Sequence, residues 1–238
     1  MNLIKKKFKD NKIENLYSNV IELNSYEAQI KLYKWHNKPI LEYGNYNDYR
    51  FVEDVNQRRL RDAESVATVV QNLNPKTCLE IGTGSGAITA LISINAPNST
   101  IYTVNIPPEE YNDGGTLKTM KLEREDIGSI YKDKKLTNIY QIFENTVKWE
   151  PDIGNIDFAF IDGCHDTDFV YNDTKKILQN MEEGSFILWH DFNLDLWSNS
   201  PWIMSVCLGI EQLYENEILN NHILHVKDSW VGIYQVKA

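Results

Sequence analysis

From residue 56 onward, apolar positions alternate between stripes at helical spacing and short continuous runs. Leu60, Ala63, Ala67, Val70 and Leu73 recur every three or four residues, which places them on one face of a helix. Asn74-Pro75 ends that helix, because proline cannot continue it and disfavours helical backbone in the residue before. Short apolar runs then predict strands over 78–81, 101–105, 138–143, 156–161 and 185–189. Between and after them, helices are predicted over 87–94, 117–131, 167–181 and 202–216. Two last β-like runs, 223–226 and 231–236, are separated by Lys227-Asp228-Ser229-Trp230 and read as a hairpin. Repeated strand–helix units predict a sheet with helices on both faces. The expected fold class is therefore α/β: a Rossmann-like, doubly wound sheet, mostly parallel, with one antiparallel strand near the C-terminus.

Residues 1–50 lack this clarity. They are rich in Asn, Lys and Tyr, with one helix predicted over 25–35, Ser25 as N-cap and Glu27 in its first turn. Asn45-Tyr46-Asn47-Asp48-Tyr49 reads as a loop. The expected division is an N-terminal extension over 1–55, contacting substrate or a second copy of the chain, and a catalytic domain over 56–238.

Charge follows the same division. Residues 1–50 carry nine Lys and Arg against six Asp and Glu, whereas the remainder carries 15 against 28. So acidic a body repels phosphate backbones, which argues against nucleic acid as a partner. The Lys run at 5–9 reads as a solvated face. No apolar run approaches the roughly 20 residues needed to span a bilayer, so no membrane partner is expected. The basic N-terminus also lacks the apolar core of a signal peptide. Cys78, Cys164 and Cys207 form no CxxC pair, and a reducing, cytoplasmic setting is the expectation.

The densest chemical signal is Thr77-Cys78-Leu79-Glu80-Ile81-Gly82-Thr83-Gly84-Ser85-Gly86-Ala87. It reads as a buried strand, an acid near its end, and a three-glycine turn opening a helix. Glycine lets backbone approach a ligand where a Cβ would clash, and the crevice beyond the strand ends is where α/β sheets bind ligands. The letters fit two patterns: Gly82-x-Gly84-x-x-Ala87 for a dinucleotide, and Glu80-x-Gly82-x-Gly84-x-Gly86 for S-adenosylmethionine (SAM). NAD would want an acid about 20 residues after the glycines. Here the second strand ends in Asn105, whose amide can still bond ribose hydroxyls. Glu80 discriminates: it can receive the ammonium of SAM, whereas an acid beside a pyrophosphate would repel it. A purely structural role, bonding the turn backbone, is the alternative for Glu80.

Four segments occur in order: 78–87, Tyr102-Thr103-Val104-Asn105-Ile106-Pro107-Pro108, Phe160-Ile161-Asp162-Gly163-Cys164-His165, and Trp189-His190-Asp191-Phe192. Together they resemble the class I SAM-dependent methyltransferases, and most closely the methyltransferase family 24 group. That group is related to macrolide-sugar O-methyltransferases and cephalosporin hydroxylase-like proteins. The resemblance covers residues 56–236, while residues 1–50 match no known pattern. It implies O-methylation of a small-molecule hydroxyl, with a sugar or sugar-containing metabolite as one acceptor class. Family members carry Asp where Asn105 stands.

Asp162 closes one predicted strand and His190-Asp191 the next. Adjacent strands lie about 4.8 Å apart, so these side chains can converge at one sheet edge, where clustered acids need a cation, a proton or a hydrogen bond. By position the resemblance makes Asp162, His190 and Asp191 ligands of a divalent metal. Imidazole is a poor Mg²⁺ ligand, so either a softer ion binds or His190 meets the acceptor directly. The resemblance likewise makes His165 a general base, with Asp162 beside it in the catalytic pair, and imidazole titrates in the range this suits. Gly82, Thr83, Gly84, Ser85 and Gly86 are the expected cofactor cradle, joined by Glu80, Asn105 and Asp162. The resemblance adds Thr146, beside Asn145, near the adenine. Trp197, Trp202 and Tyr49 are candidates to wall the acceptor pocket, and Arg50, Arg58, Arg59 and Arg61 read mainly as a solvated face. His36, His222 and His225 lie outside any motif and read as structural. Two rival readings remain on the same fold: an NAD-linked oxidoreductase and a metal-dependent hydroxylase-like enzyme.

Overall fold

The computed structural model describes residues 13–42, 53–118 and 121–237. The expected loop at 45–49, the Lys run at 5–9, Tyr49 and Arg50 lie outside these residues. The strands are β1 (Val20–Leu23), β2 (Thr77–Ile81), β3 (Thr100–Asn105), β4 (Ile139–Phe143), β5 (Phe158–Ile161), β6 (Phe186–Trp189), β7 (Ile223–Val226) and β8 (Gly232–Gln235). The α-helices are α1 (Glu14–Asn19), α2 (Tyr26–Tyr33), α3 (Glu53–Leu73), α4 (Ala87–Asn95), α5 (Ser129–Asp133), α6 (Thr167–Leu178) and α7 (Pro201–Glu215).

All eight strands join one sheet in the order β1-β7-β8-β6-β5-β2-β3-β4. Only β8 runs antiparallel to its neighbours, β6 and β7, as the hairpin signal predicts. The direction of strand progression reverses between β2 and β5, which pair in parallel from Cys78 opposite Phe158 to Ile81 opposite Ile161. Such a switch point opens a crevice at the carboxyl ends of the two strands.

The central strands read as continuous apolar runs because helices cover both their faces. In β5, Phe158 and Phe160 pack with Ala63, Ala67 and Val70 of α3 and Leu91 of α4. Ala159 and Ile161 point the other way, into a core with Val170 and Ile177 of α6 and Ile203, Val206 and Ile210 of α7. The helical stripe expected from Leu60 to Leu73 thus finds its partner sheet, and α3 stops where expected.

Two segments depart from the sequence reading. First, β1 extends the sheet by pairing with β7, Val20 opposite Ile223 through Leu23 opposite Val226. Four residues between polar neighbours carry too little periodicity to announce a strand. The segment is held by the buried Glu211 of α7, whose carboxylate accepts the Asn15 and Leu16 backbone N–H groups at 3.0 and 2.9 Å. Second, the helix expected over 117–131 is absent. Among its described residues only 129–131 are helical, in the short α5, and a 3₁₀ turn at Pro108–Asp113 comes before the expected range. The Asp166 carboxylate takes the N–H groups of Thr116 and Leu117 at 2.7 and 3.0 Å, so these donors are already spent. Gly115, at φ +82°, sits where a Cβ would strike the Cys164 sulfur and the Asp166 carboxylate. This segment is a strap laid over the start of α6, not a helix.

Candidate functional site

The glycine turn is built by contact between two strand ends. Gly82, Gly84 and Gly86 have φ of +97°, +51° and +84°, a region only glycine enters freely. At Gly82 the need is also spatial, because a Cβ would overlap the Asp162 carbonyl oxygen. Two backbone bonds of 2.8 Å, from Gly82 N–H to Val104 O and from Asp162 N–H to Ile81 O, lock β2, β3 and β5 together here.

Beneath the turn runs a buried network of polar side chains. Glu80 is 1% exposed and accepts hydrogen bonds from the hydroxyls of Thr89 and Thr103, each at 2.5 Å. Burial pushes its carboxyl up to about 8, against the opposing pull of those hydroxyls. Glu80 therefore bonds side chains rather than the turn backbone. The Thr83 hydroxyl lies 2.7 Å from that of Thr103 and accepts from Gln141 Nε2 at 3.0 Å, so it belongs to the same network. Asn105 is tied to the turn itself: its Oδ1 accepts the Gly84 N–H at 3.3 Å, and its Nδ2 donates to Ile106 O at 3.0 Å.

A cavity of about 550 Å³ opens above this network, within the size range of small-molecule sites. Its wall includes Glu80, residues 82–85, Asn105, Glu144 and Thr146 on one side, and Asp162, His190 and Asp191 on the other. The Thr146 hydroxyl donates to the buried Asp173 at 3.2 Å, and burial raises the Asp173 carboxyl to about 7. Lys176 donates to the carbonyls of Thr146 and Trp149 at 2.9 and 3.0 Å, which fixes the loop after β4.

The second pole is charge-rich. His165 Nε2 lies 3.4 Å from Asp162 Oδ1 and 3.0 Å from Asp191 Oδ2. His190 Nδ1 lies 3.2 Å from Asp162 Oδ1 and 3.6 Å from Asp191 Oδ2, outside hydrogen-bond alignment with either. Its Nε2 faces Asp62 Oδ2 at 3.4 Å. Burial pushes the Asp162 carboxyl up, but the charge of His190 and the bond from His165 outweigh it and hold the group well below its usual range. Burial likewise lowers both imidazoles, yet the surrounding carboxylates win and raise His165, and His190 well above its ordinary value.

Asp162, His165, His190 and Asp191 lie together, but not every expected site residue reaches the cavity: Gly86 is not part of its wall. His165, expected to lean over the reacting centre, is 3% exposed and lies behind Asp162 and Asp191, off the cavity wall. The imidazole that faces the cavity is His190. Trp202 lines the cavity as expected, and so does Arg59. Trp197 does not: it is buried and donates through Nε1 to Tyr17 OH at 2.9 Å.

Sequence reasoning missed Asp62. It sits on α3, 128 positions from His190, and its Oδ1 also accepts the Trp230 backbone N–H at 2.5 Å. One polar residue on an amphipathic helix carries no signal of such a role. Tyr111, Lys118 and Trp230, which also line the cavity, were missed because they lie in a 3₁₀ turn and loops whose placement depends on distant contacts.

Asp162, His165 and Asp191 present ligand atoms within 4.8 Å of one another, and His190 adds an imidazole beside the same carboxylates. This mixed donor set fits an ion softer than Mg²⁺. The buried His190 Nδ1 has no hydrogen-bond partner among the described residues, and Asp62 faces its other nitrogen, the position an outer carboxylate takes at a metal-bound imidazole. Among the described residues no helix is long and apolar enough to cross a membrane.

A family profile described as "Methyltransferase domain" matches residues 79–192. No curated protein sequence gives a significant match. Among solved structures, the SAH-bound methyltransferase PaMTH1 of Podospora anserina aligns with a TM-score of 0.57 at 18% identity, covering 92% of this chain and 98% of that one. The O-methyltransferase NovP aligns at 0.56 and 12% identity, over 76% of this chain and 80% of its own. TomG from Streptomyces achromogenes, an O-methyltransferase of tomaymycin synthesis in complex with SAM, gives 0.54 and 10%, over 74% and 80%. At such identities these likenesses carry the fold.

Proposed function

This chain belongs to the class I SAM-dependent methyltransferases, and we propose that it transfers the SAM methyl group to a hydroxyl oxygen of a small molecule. The observation that carries this reading is one cavity joining the glycine turn to the acid–imidazole cluster. Residues 82–86 would hold SAM, Glu80 would receive its ammonium, and the loop at Asn145-Thr146 would take its adenine. The backbone of Gly82, Thr83, Gly84, Ser85 and Gly86 forms the cradle. Asp162 stands where donor and acceptor meet.

Methyl transfer is an in-line displacement, so alignment supplies most of the catalysis. The acceptor oxygen attacks the methyl carbon, the carbon–sulfur bond breaks, and the hydroxyl proton leaves. His190 takes that proton at the cavity wall. Its carboxylate neighbours make it a strong proton acceptor that must first shed its own proton. His165 acts from behind as a positioning residue for Asp162 and Asp191. With a divalent ion bound instead, Asp162, His190 and Asp191 would be its ligands and the ion would acidify the acceptor hydroxyl, so that His190 would not itself take the proton. Paired carboxylates beside Trp202 suit an acceptor rich in hydroxyls, such as a sugar or sugar-containing metabolite. Three unpaired cysteines support a cytoplasmic setting.

Calorimetric titration with SAH and, separately, NAD⁺ tests the cofactor. Binding of SAH without NAD⁺ is expected, and the reverse result would overturn the reading. Labelled SAM offered with a panel of hydroxylated small molecules then tests the transfer, with mass spectrometry locating the methyl group. Label found on nitrogen or carbon alone would sink O-methylation.

A further inference from the structure

We propose that Glu144, immediately after β4, binds the ribose hydroxyls of SAM, a role that Asn105 has given up to hold the glycine turn. The assignment rests on the cofactor reading above. A ribose diol donates two O–H groups and is best received by the two oxygens of a carboxylate. Asn105 offers a single amide oxygen, and that oxygen already holds the Gly84 N–H. Its Nδ2 is turned to Ile106 O, which fixes the amide in this orientation. The side chain at the end of β3 is thus a clamp on the turn.

Glu144 meets the requirement from the next strand. Asn105 lies opposite Phe143 in the β3–β4 register, so Glu144 is one residue further towards the crevice. Its backbone N–H donates to Asn105 O at 3.1 Å, and both residues line the same cavity. The Glu144 side chain is exposed and makes no hydrogen bond or ion pair among the described residues. Nearby, outside the cavity lining, Glu109 pairs with Arg124 at 2.7 Å and Glu110 with Lys148 at 3.4 Å. A carboxylate kept without a partner beside a committed amide is what a diol subsite needs.

The test compares SAH with its analogue lacking the ribose 2′-hydroxyl, by calorimetry on the full chain. Wild type should prefer SAH by about 10- to 100-fold, the range of a hydrogen bond to a charged group. Glu144→Ala should bind both at the weaker level, with an unchanged melting temperature because the side chain touches nothing it must support. Adding Asn105→Asp to that variant should restore the preference, since the second carboxylate oxygen is repelled by Ile106 O and turns to the crevice. SAH binding by Glu144→Ala with the preference intact would overturn the assignment alone. Failure of the wild type to bind SAH would overturn the cofactor reading and this assignment with it.

Discussion

The two poles of the cavity are built on opposite principles. At the glycine turn the polar atoms bond one another: Glu80 Oε2 takes two hydroxyls, Thr83 meets a third hydroxyl and an amide, and Asn105 holds the turn. At the acid–imidazole pole the groups neutralise one another in charge, yet buried His165 Nδ1 and His190 Nδ1 have no hydrogen-bond partners. Unpaired buried nitrogens are costly, and they persist where a site awaits a proton, an ion or an acceptor. One pole is therefore knit by hydrogen bonds, whereas the other is held mainly by opposite charges. The difference teaches that the cofactor end is organised by backbone geometry and the acceptor end by charge.

Substitutions should separate the two. The largest effect is expected from Gly82→Ala, which puts a methyl group into the Asp162 carbonyl at positive φ. Destabilisation of about 2–4 kcal/mol and loss of SAH binding by more than ~100-fold are expected, read by thermal unfolding and calorimetry. Both poles should fail together, because both hang on that contact. Retention of SAH affinity would break the comparison.

Glu80→Gln should act through pH. The folded carboxyl sits near 8 against an ordinary 4.5, so between these values the folded chain holds the proton more tightly. Stability therefore falls as pH rises through that window and levels off above it. The variant lacks this slope, so wild type should lose stability relative to it by a few kcal/mol between pH 5 and pH 9. Parallel stability–pH curves from urea titration would show that Glu80 is not the buried acid described here.

Asp62→Ala sharpens the other pole. It leaves His190 Nε2 and the Trp230 N–H without their acceptor, at a cost of about 1–3 kcal/mol. Turnover should fall by about 10- to 100-fold while SAH affinity stays unchanged. The smallest effect belongs to Thr83→Val, which removes one bridge of the neutral network. A cost of about 1 kcal/mol, seen as a small drop in melting temperature, is expected without change in turnover.

What the sequence made legible follows the same division. The turn, the switch-point strands and the antiparallel β8 were readable because glycine at positive φ and strands buried on both faces leave local signatures. Asp162, His190 and Asp191 were readable because each closes a strand whose neighbour could be inferred. Asp62 was not, since its role depends on how α3 crosses a strand far away in the chain. The start of the helix expected over 117–131 was misread because a carboxylate from another element takes the Leu117 backbone N–H. His165 and His190 differ in depth, one buried behind the carboxylates and one on the cavity wall, and depth is a tertiary property.

The overlap that any side chain at position 82 would suffer against Asp162 O gears donor and acceptor together. Gly163 adds to it, since a Cβ there would come within 2.9 Å of Ile81 Cγ2. On the function proposed above, a wall one backbone thick would carry any shift of the glycine turn to Asp162. Acceptor scope can therefore be retuned only from the far side of the cavity, at positions such as Arg59, Tyr111 and Trp202. Residues 82, 162 and 163 form the shared hinge pin, and a library that varies them should yield inactive proteins rather than new specificities.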